Sequence, residues 1–309
     1  MTDGTLTRSY GRVFNEVAAE YDRNRPTYPD ALVDHACQVA CIGAGDRVLE
    51  VGCGTGQLTR SLLARGLHVT ALEPGDQLIA IAGENLKDAG YVEFVNARLE
   101  DTELLRGRYQ AVFSASAIHW ADPDFSWRRI ADVLAPDGTL ALIQYFGLQQ
   151  QRSADDQEEL LSAMRRHAPE VAASWPTYRD LESTIAGVQE RRRNVADVWG
   201  WLGSYDIGCD YAADLFEEVQ LATAPTLIEH TADALNAALG TMSFWARLSP
   251  DQRDALTSEN RALYERLGRP IRASTLAGLL TARRRGHDTA HSSSNDQEAT
   301  RSSTDCHAL

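Results

Sequence analysis

The sequence is short of positive charge. Its 309 residues include 30 Lys and Arg against 44 Asp and Glu, a formal net charge of −14 with a pI near 5.0. A phosphate backbone draws most of its affinity from Lys and Arg, so nucleic acid and anionic membrane are not expected partners. Long apolar runs are lacking too, and no basic start leads into an apolar stretch. Neither a membrane span nor a secretory signal is expected, and the chain is read as cytoplasmic. Cysteine is scarce and odd in number: Cys37, Cys41, Cys53, Cys209 and Cys306 are widely spaced, as reduced thiols are in a large chain. Cys37 and Cys41 stand one helical turn apart, but no second pair with ligand spacing accompanies them, so no metal site is expected. There is no internal repeat.

What is present is ordinary for a globular protein, with 43% hydrophobic and 24% charged residues. The length suits one main α/β core with an insertion. That core is organised around residues 47 to 56, Arg-Val-Leu-Glu-Val-Gly-Cys-Gly-Thr-Gly. An apolar run ends at Glu50 and Val51, and Gly52, Gly54 and Gly56 follow at alternate positions. The pattern predicts a buried strand turning sharply into a helix over Gln57 to Arg65, with glycines that admit a ligand close to the backbone. A dinucleotide fingerprint, G-x-G-x-x-G, would place its third glycine at Gln57. Here the third glycine comes one position early.

His68 to Leu72 reads as a second strand, ending at Glu73 and Pro74. An acid at this point in a βαβ unit lies beside a bound ribose and can accept from both of its hydroxyls. Asp76 to Ala89 reads as a helix and Tyr91 to Asn96 as a third strand. Tyr109 onward forms a fourth strand running into an elbow at His119 and Trp120, at the point where strand order reverses and ligands bind. Phe125 to Leu134 is helical and Thr139 to Tyr145 is a fifth strand. Three charged or amphipathic helical stretches follow, Asp155 to Met164, Tyr178 to Ile185 and Ala212 to Leu221, read as a cap over the site. Its Trp175, Trp199, Trp201 and Tyr205 either line an apolar pocket or hold the cap to the sheet. Pro225 to His230 is a sixth strand, Ala232 to Leu239 and Asp251 to Leu267 are helices, and Ile271 to Thr281 is a last strand inserted antiparallel. Beyond Gly286 the composition is that of a disordered tail, in which His287, His291 and His307 are solvated rather than ligands.

The Glu-x-Gly-x-Gly-x-Gly pattern resembles the first motif of class I S-adenosylmethionine-dependent methyltransferases, in a small-molecule subgroup similar to trans-aconitate methyltransferase. Leu134-x-Pro-x-Gly-x-Leu140 is also typical of that family. The resemblance implies a Rossmann-like, doubly wound seven-stranded sheet. Its expected parts are an N-terminal lid (1–45), a donor-binding core (46–148), a helical cap (149–218), a completion of the sheet (219–285) and the tail (286–309). Donor contacts are implied at Glu50, Gly52, Gly54, Gly56, Glu73, Pro74, Leu99 and Ser114, with Glu100 accepting from the adenine amine and Asp101 in reserve. The Tyr-Asp-x-x-Arg-Pro-x-Tyr-Pro segment resembles the subgroup's lid and puts Tyr21 and Tyr28 near the acceptor, although both also suit a core. Thr241-Met-Ser-Phe-Trp resembles its acceptor-facing element, through Ser243 and Trp245. A His-Trp pair closes the fourth strand in the subgroup, often after a Gln; Ser116 stands where that Gln is expected.

The implied chemistry is in-line methyl transfer to a small-molecule acceptor, leaving S-adenosylhomocysteine. His119 is the candidate base, because an unperturbed imidazole titrates near working pH, or else it orients the acceptor. Trp120 shields the donor. The alternatives are an NAD(P)-dependent oxidoreductase and a non-catalytic binder of S-adenosylmethionine.

Overall fold

The computed structural model describes residues 13–286. The expected tail and its three histidines lie outside the described residues. Among the described residues no helix is long and apolar enough to cross a membrane.

Two short helices, α1 (Val13–Glu16) and α2 (Ala18–Asn24), come first, and α3 (Asp30–Val39) follows the break made by Pro26 and Pro29. β1 (Arg47–Val51) is buried from Val48 onward on both faces, the pattern of a central parallel strand. It leads through the glycine turn into α4 (Gln57–Leu63), which buries Leu58, Leu62 and Leu63. Then come β2 (His68–Leu72), α5 (Asp76–Leu86), β3 (Val92–Val95), β4 (Tyr109–Ala115), α6 (Pro123–Val133) and β5 (Leu134–Gly147). The seven strands lie in the order β3-β2-β1-β4-β5-β7-β6, with β7 (Ile271–Arg284) antiparallel to both neighbours. This is the expected Rossmann-like sheet, and its order reverses between β1 and β4.

The region after β5 departs from the sequence reading in two ways. The expected Ala212 to Leu221 helix stops at Leu215, and β6 (Phe216–His230) begins at once, nine positions before the expected Pro225. Its first residues pair with β7 through a bulge between Glu217 and Gln220, where Glu218 has φ 54°. The bulge breaks the alternation that would have marked a strand. Second, only part of the stretch read as a cap lies over the site. Helices α7 (Ala154–His167) and α8 (Pro169–Ala173) pack with Phe244, Leu248 and Leu256. By contrast α9 (Leu181–Arg191) and α10 (Val195–Gly203) put Val188, Val195, Val198 and Trp199 into one cluster with Leu49, Val112, Trp127 and Leu280. β5 and β6 run in the same direction with β7 between them, so their connection has to cross a face of the sheet. These two helices are that crossover. Trp199 is buried against Phe146, and Trp201 is covered by Arg179 and Arg191, so both hold the fold together.

After α11 (Ala212–Leu215) and β6, α12 (Ala232–Gly240) and α13 (Pro250–Leu267) complete the chain before β7. Ser249 and Gln252 form a reciprocal capping box at the start of α13, with Pro250 at its first position.

Candidate active site

The C-terminal ends of β1, β2, β4 and β5 open into one cavity of about 2050 Å³, walled on the far side by residues 14–28, by α7 and α8, and by residues 241–247. A single small-molecule pocket typically holds about 300 to 1000 Å³, so this one has room for two ligands. Two regions of it differ in construction.

The first surrounds the glycine turn. Gly52 has φ +76°, and a Cβ there would overlap the Ala117 Cβ after β4, so this glycine is what lets β1 and β4 approach. The Gly52 and Cys53 N–H groups both donate to the Leu72 carbonyl, at 2.9 Å each. Glu73 is 7% exposed and held at both ends: Oε2 accepts from the Gly54 N–H and Oε1 from the Gly75 N–H, each at 2.9 Å. Burial raises its pKa above the ordinary carboxylate value, against the pull of these two bonds. Each oxygen still has accepting capacity to spare. Glu50 lies fully buried against the same cavity. Its Oε2 accepts from Thr59 Oγ1 at 2.7 Å, while Oε1 has no partner. Burial pushes its pKa up to about 7; the Thr59 bond opposes the rise and the Glu73 charge adds to it.

Leu99, Glu100, Asp101 and Pro74 all line this region. Asp101 is claimed by Arg98 through two bonds of 2.7 and 2.9 Å, whereas Glu100 uses only Oε1, accepting from the Asp122 N–H at 2.7 Å. Glu100 is therefore the better placed of the two to accept from a ligand. Two expected contacts are corrected. Ser114 is fully buried and its hydroxyl donates to the Val51 carbonyl at 2.9 Å, joining β4 to β1 away from the cavity. Gly56 does not reach the cavity either. At φ +94° it precedes α4, and a Cβ there would stand 2.7 Å from Leu86 Cδ1, so it serves the packing of α4 on α5.

The second region is made by side chains that converge from distant parts of the chain. His119 follows β4 in a short 3-10 turn, Ile118–Trp120, and stacks face to face on Tyr205 with centroids 4.0 Å apart. Tyr205 bonds to Gln144 on β5. Burial, and then the Arg25 charge, push the His119 pKa down to about 3, and its buried Nδ1 has no partner. An imidazole so hard to protonate is a weak proton acceptor, while its unpartnered Nδ1 is free to orient a ligand. Trp120 meets Phe14 edge to face at 5.8 Å, and Phe14 meets Tyr21 at 5.5 Å. Tyr28 stacks on Tyr145 and shares a 3.0 Å hydrogen bond with Ser116. Ser116, in place of the expected Gln, has φ 53° and binds the lid to the end of β4. Ser243 and Trp245 face the same space, as do Trp175 and Tyr205 from the helical region.

All of the expected donor and acceptor positions apart from Ser114 and Gly56 line the same cavity. The reading by residue type missed Arg25, Gln144 and Phe14. Arg25 and Phe14 sit in or next to the lid segment already singled out, which was a usable signal; Gln144 lies inside an apolar strand and gave none.

Residues 49–142, which span the turn, Glu73 and β4, match the family described as a methyltransferase domain. That stretch is similar to a methyltransferase domain. An uncharacterized methyltransferase of Mycobacterium tuberculosis is 34% identical over 130 residues, 42% of this chain and 51% of that protein. A Saccharomyces cerevisiae protein named as an S-adenosylmethionine-dependent methyltransferase is 29% identical over 135 residues, 42% of this chain and 46% of its own length. The chain thus spans about half the length of these curated relatives. A solved structure described as a type II methyltransferase from Anaeromyxobacter dehalogenans shares the fold, with a TM-score of 0.56 and 24% identity over 84% of this chain and 97% of that one. The methyltransferase family match falls on the glycine-turn region and ends within β5, before the crossover helices and α7.

Proposed function

We propose that this chain transfers a methyl group from S-adenosylmethionine to a small-molecule acceptor. The observation that carries the donor is the Glu73 carboxylate, fixed by the Gly54 and Gly75 N–H groups at the rim of the turn with accepting capacity left for a ribose diol. The residues around it suit the same ligand. The bare backbone at Gly52 and Gly54 allows close approach, and the unpartnered Oε1 of Glu50 favours a positively charged group.

The donor, when bound, supplies an electrophilic methyl on a cationic sulfur. The protein has then mainly to align the acceptor and exclude water. Trp120 and Phe14, in edge-to-face contact, both line the cavity and can help to shield it from water. The low basicity of His119 makes it a weak base, and its unpartnered Nδ1 suits it to orient the acceptor. An acceptor that is already nucleophilic at pH 7 fits such a site best. The walls from α7 and α8, among them Leu160, Leu161, Met164 and Val171, favour an acceptor with an apolar body. The net charge of −14 argues against nucleic acid in that role.

Equilibrium titration with S-adenosylmethionine, S-adenosylhomocysteine and NAD tests the reading. The first two should bind and NAD should not; binding of NAD alone would overturn it. Release of labelled methyl to a panel of apolar small molecules then separates an enzyme from a binder.

A further inference from the structure

The cavity also reaches between three helices that come late in the chain. α7 lines it with Leu160 and Met164, α12 with Leu235 and Leu239, and α13 with Leu256 and Asn260. Each pair is four residues apart, so each helix presents a stripe about one turn, roughly 6 Å, long rather than a single point. All of these residues come after residue 142, where the match to the methyltransferase family ends.

The three helices pack with one another and leave apolar surface towards the cavity. Met164 and Leu256 share a cluster with Val171 and Phe244, Leu235 shares a second with Leu263 and Ile271, and Leu239 packs against both. Exposed ion pairs, Arg166 with Glu259 at 3.0 Å and Arg266 with Glu159 at 2.9 Å, fasten α7 to α13 along the outside. On the cavity side Leu160, Leu161 and Leu239 stay only partly buried. The axes of packed helices run about 8 to 10 Å apart, so the space between such side chains suits a slender chain better than a broad ring.

α7, α12 and α13 line the cavity with uncharged residues alone. Their two amides are engaged: Gln157 Oε1 accepts from Ser153 Oγ at 2.9 Å, and Asn260 Nδ2 donates to Asn236 Oδ1 at 2.7 Å. His230, on the last residue of β6, also lines the cavity; burial lowers its pKa, so its imidazole is neutral at pH 7. The contrast is with His119 Nδ1, Gln144 Oε1 and Thr275 Oγ1, which line the same cavity as buried polar atoms without partners. A ligand that satisfies both parts is polar at one end and hydrocarbon at the other.

We propose that the space between α7, α12 and α13 holds the tail of an amphipathic acceptor, a single hydrocarbon chain whose polar head meets the unpartnered atoms of the His119 region. The inference rests on the reading of this chain as a methyltransferase acting on a small molecule, and it gives that molecule a class. The tail leaves water and covers the partly buried leucines, which supplies the binding energy. The head is then held where the methyl group arrives.

The test is calorimetric titration of the chain, saturated with S-adenosylhomocysteine, with hexanoate and decanoate and with hexanol and decanol, each below its aggregation limit. Two head groups separate the effect of the tail from that of the head. Each methylene that enters an apolar site should tighten binding about fourfold, so decanoate should bind about a hundredfold or more tighter than hexanoate, and decanol than hexanol. Ala238→Phe and Leu239→Phe narrow the space and should cut these ratios to below about tenfold, while S-adenosylhomocysteine affinity stays within about twofold and reports a folded donor end. Should one variant fail to fold, the other decides. Wild-type ratios near one, or binding of none of the four ligands, would overturn the inference. Large ratios kept in both variants would place the chain elsewhere and overturn it as well. Wild type that did not bind S-adenosylhomocysteine would defeat the donor reading and the inference with it, whereas binding of S-adenosylhomocysteine without dependence on chain length defeats only the tail site.

Discussion

The glycine-turn end of the cavity and the His119 end are built in opposite ways. At the first, the ligand-facing surface is mostly backbone, shaped within residues 50–75, and Glu73 is bonded to it at both oxygens. At the second, the surface is side chains from widely separated segments, and His119 Nδ1, Gln144 Oε1, Thr275 Oγ1 and Arg25 Nε are buried without partners. Buried polar groups are nearly always satisfied in a finished structure. Among the described residues only Glu50 Oε1 is left unsatisfied at the first end, so the first end is closer to complete without its ligand than the second.

The strongest way to break this contrast is at Gly52. Gly52→Ala adds a Cβ at φ +76° that overlaps Ala117, and overpacking with backbone strain should together lower stability by about 2 to 4 kcal/mol. Urea unfolding measures the loss, and donor binding should fall below detection; wild-type affinity in this variant would show that the turn is not the donor cradle. Glu73→Ala comes next. It removes the proposed ribose acceptor and strips the Gly54 and Gly75 N–H groups of their partner, so donor affinity should fall about ten- to a hundredfold. An unchanged dissociation constant would remove Glu73 from the site.

Titration sharpens the contrast, because the two ends respond to pH in opposite senses. The folded chain holds the Glu50 proton more tightly than the unfolded chain, with a pKa moved from 4.5 to about 7. That contribution to stability is complete below pH 4.5 and is lost as the pH rises to about 7. The His119 pKa is depressed from 6.5 to about 3, so its contribution is complete above pH 6.5 and is lost as the pH falls. Between pH 4.5 and 6.5 the two slopes oppose each other. Relative to wild type, Glu50→Gln should gain about 2 kcal/mol on going from pH 4.5 to 6.5, and His119→Phe should show the mirror image. Chemical denaturation at the two pH values reads both; parallel curves for variant and wild type would show that the group in question does not titrate as its burial requires. The smallest effect is expected at Ser114. Ser114→Ala loses one bond to the Val51 carbonyl, about 1 kcal/mol or less, and should leave donor affinity within about twofold. A larger loss of affinity would return this hydroxyl to the ligand.

The same contrast explains what was legible in the sequence. Gly52, Gly54 and Glu73 could be read because their geometry is local: a turn needing φ > 0, and an acid one βαβ unit further on. Gly56 belongs to that turn by spacing, but its reason for being glycine is Leu86, on the next helix but not in any motif. Ser114 has its partner on another strand, and nothing in the composition of β4 says which side of it carries the ligand. Arg25 meets Thr241 across 216 residues, and His119 meets Tyr205 through the crossover. No spacing rule reaches that far. At Phe216 to Leu221 the signal itself was misleading, because the bulge at Glu218 disturbs the period of two by which a strand is recognised.

The passage of α9 and α10 across the sheet face bears on how this protein can be re-engineered. A stretch that had only roofed the site could be deleted or exchanged whole. Here, removal of residues 149–215 would take Val188, Val198 and Trp199 out of the main core and unlink β5 from β6. The exchangeable piece is much shorter: α7 and α8, residues 154–173, which pack mainly on α13 and the 241–248 loop. Under the proposed function, grafting that pair from one protein to another would change the wall facing the acceptor while the sheet, the glycine turn and the lid stay as they are.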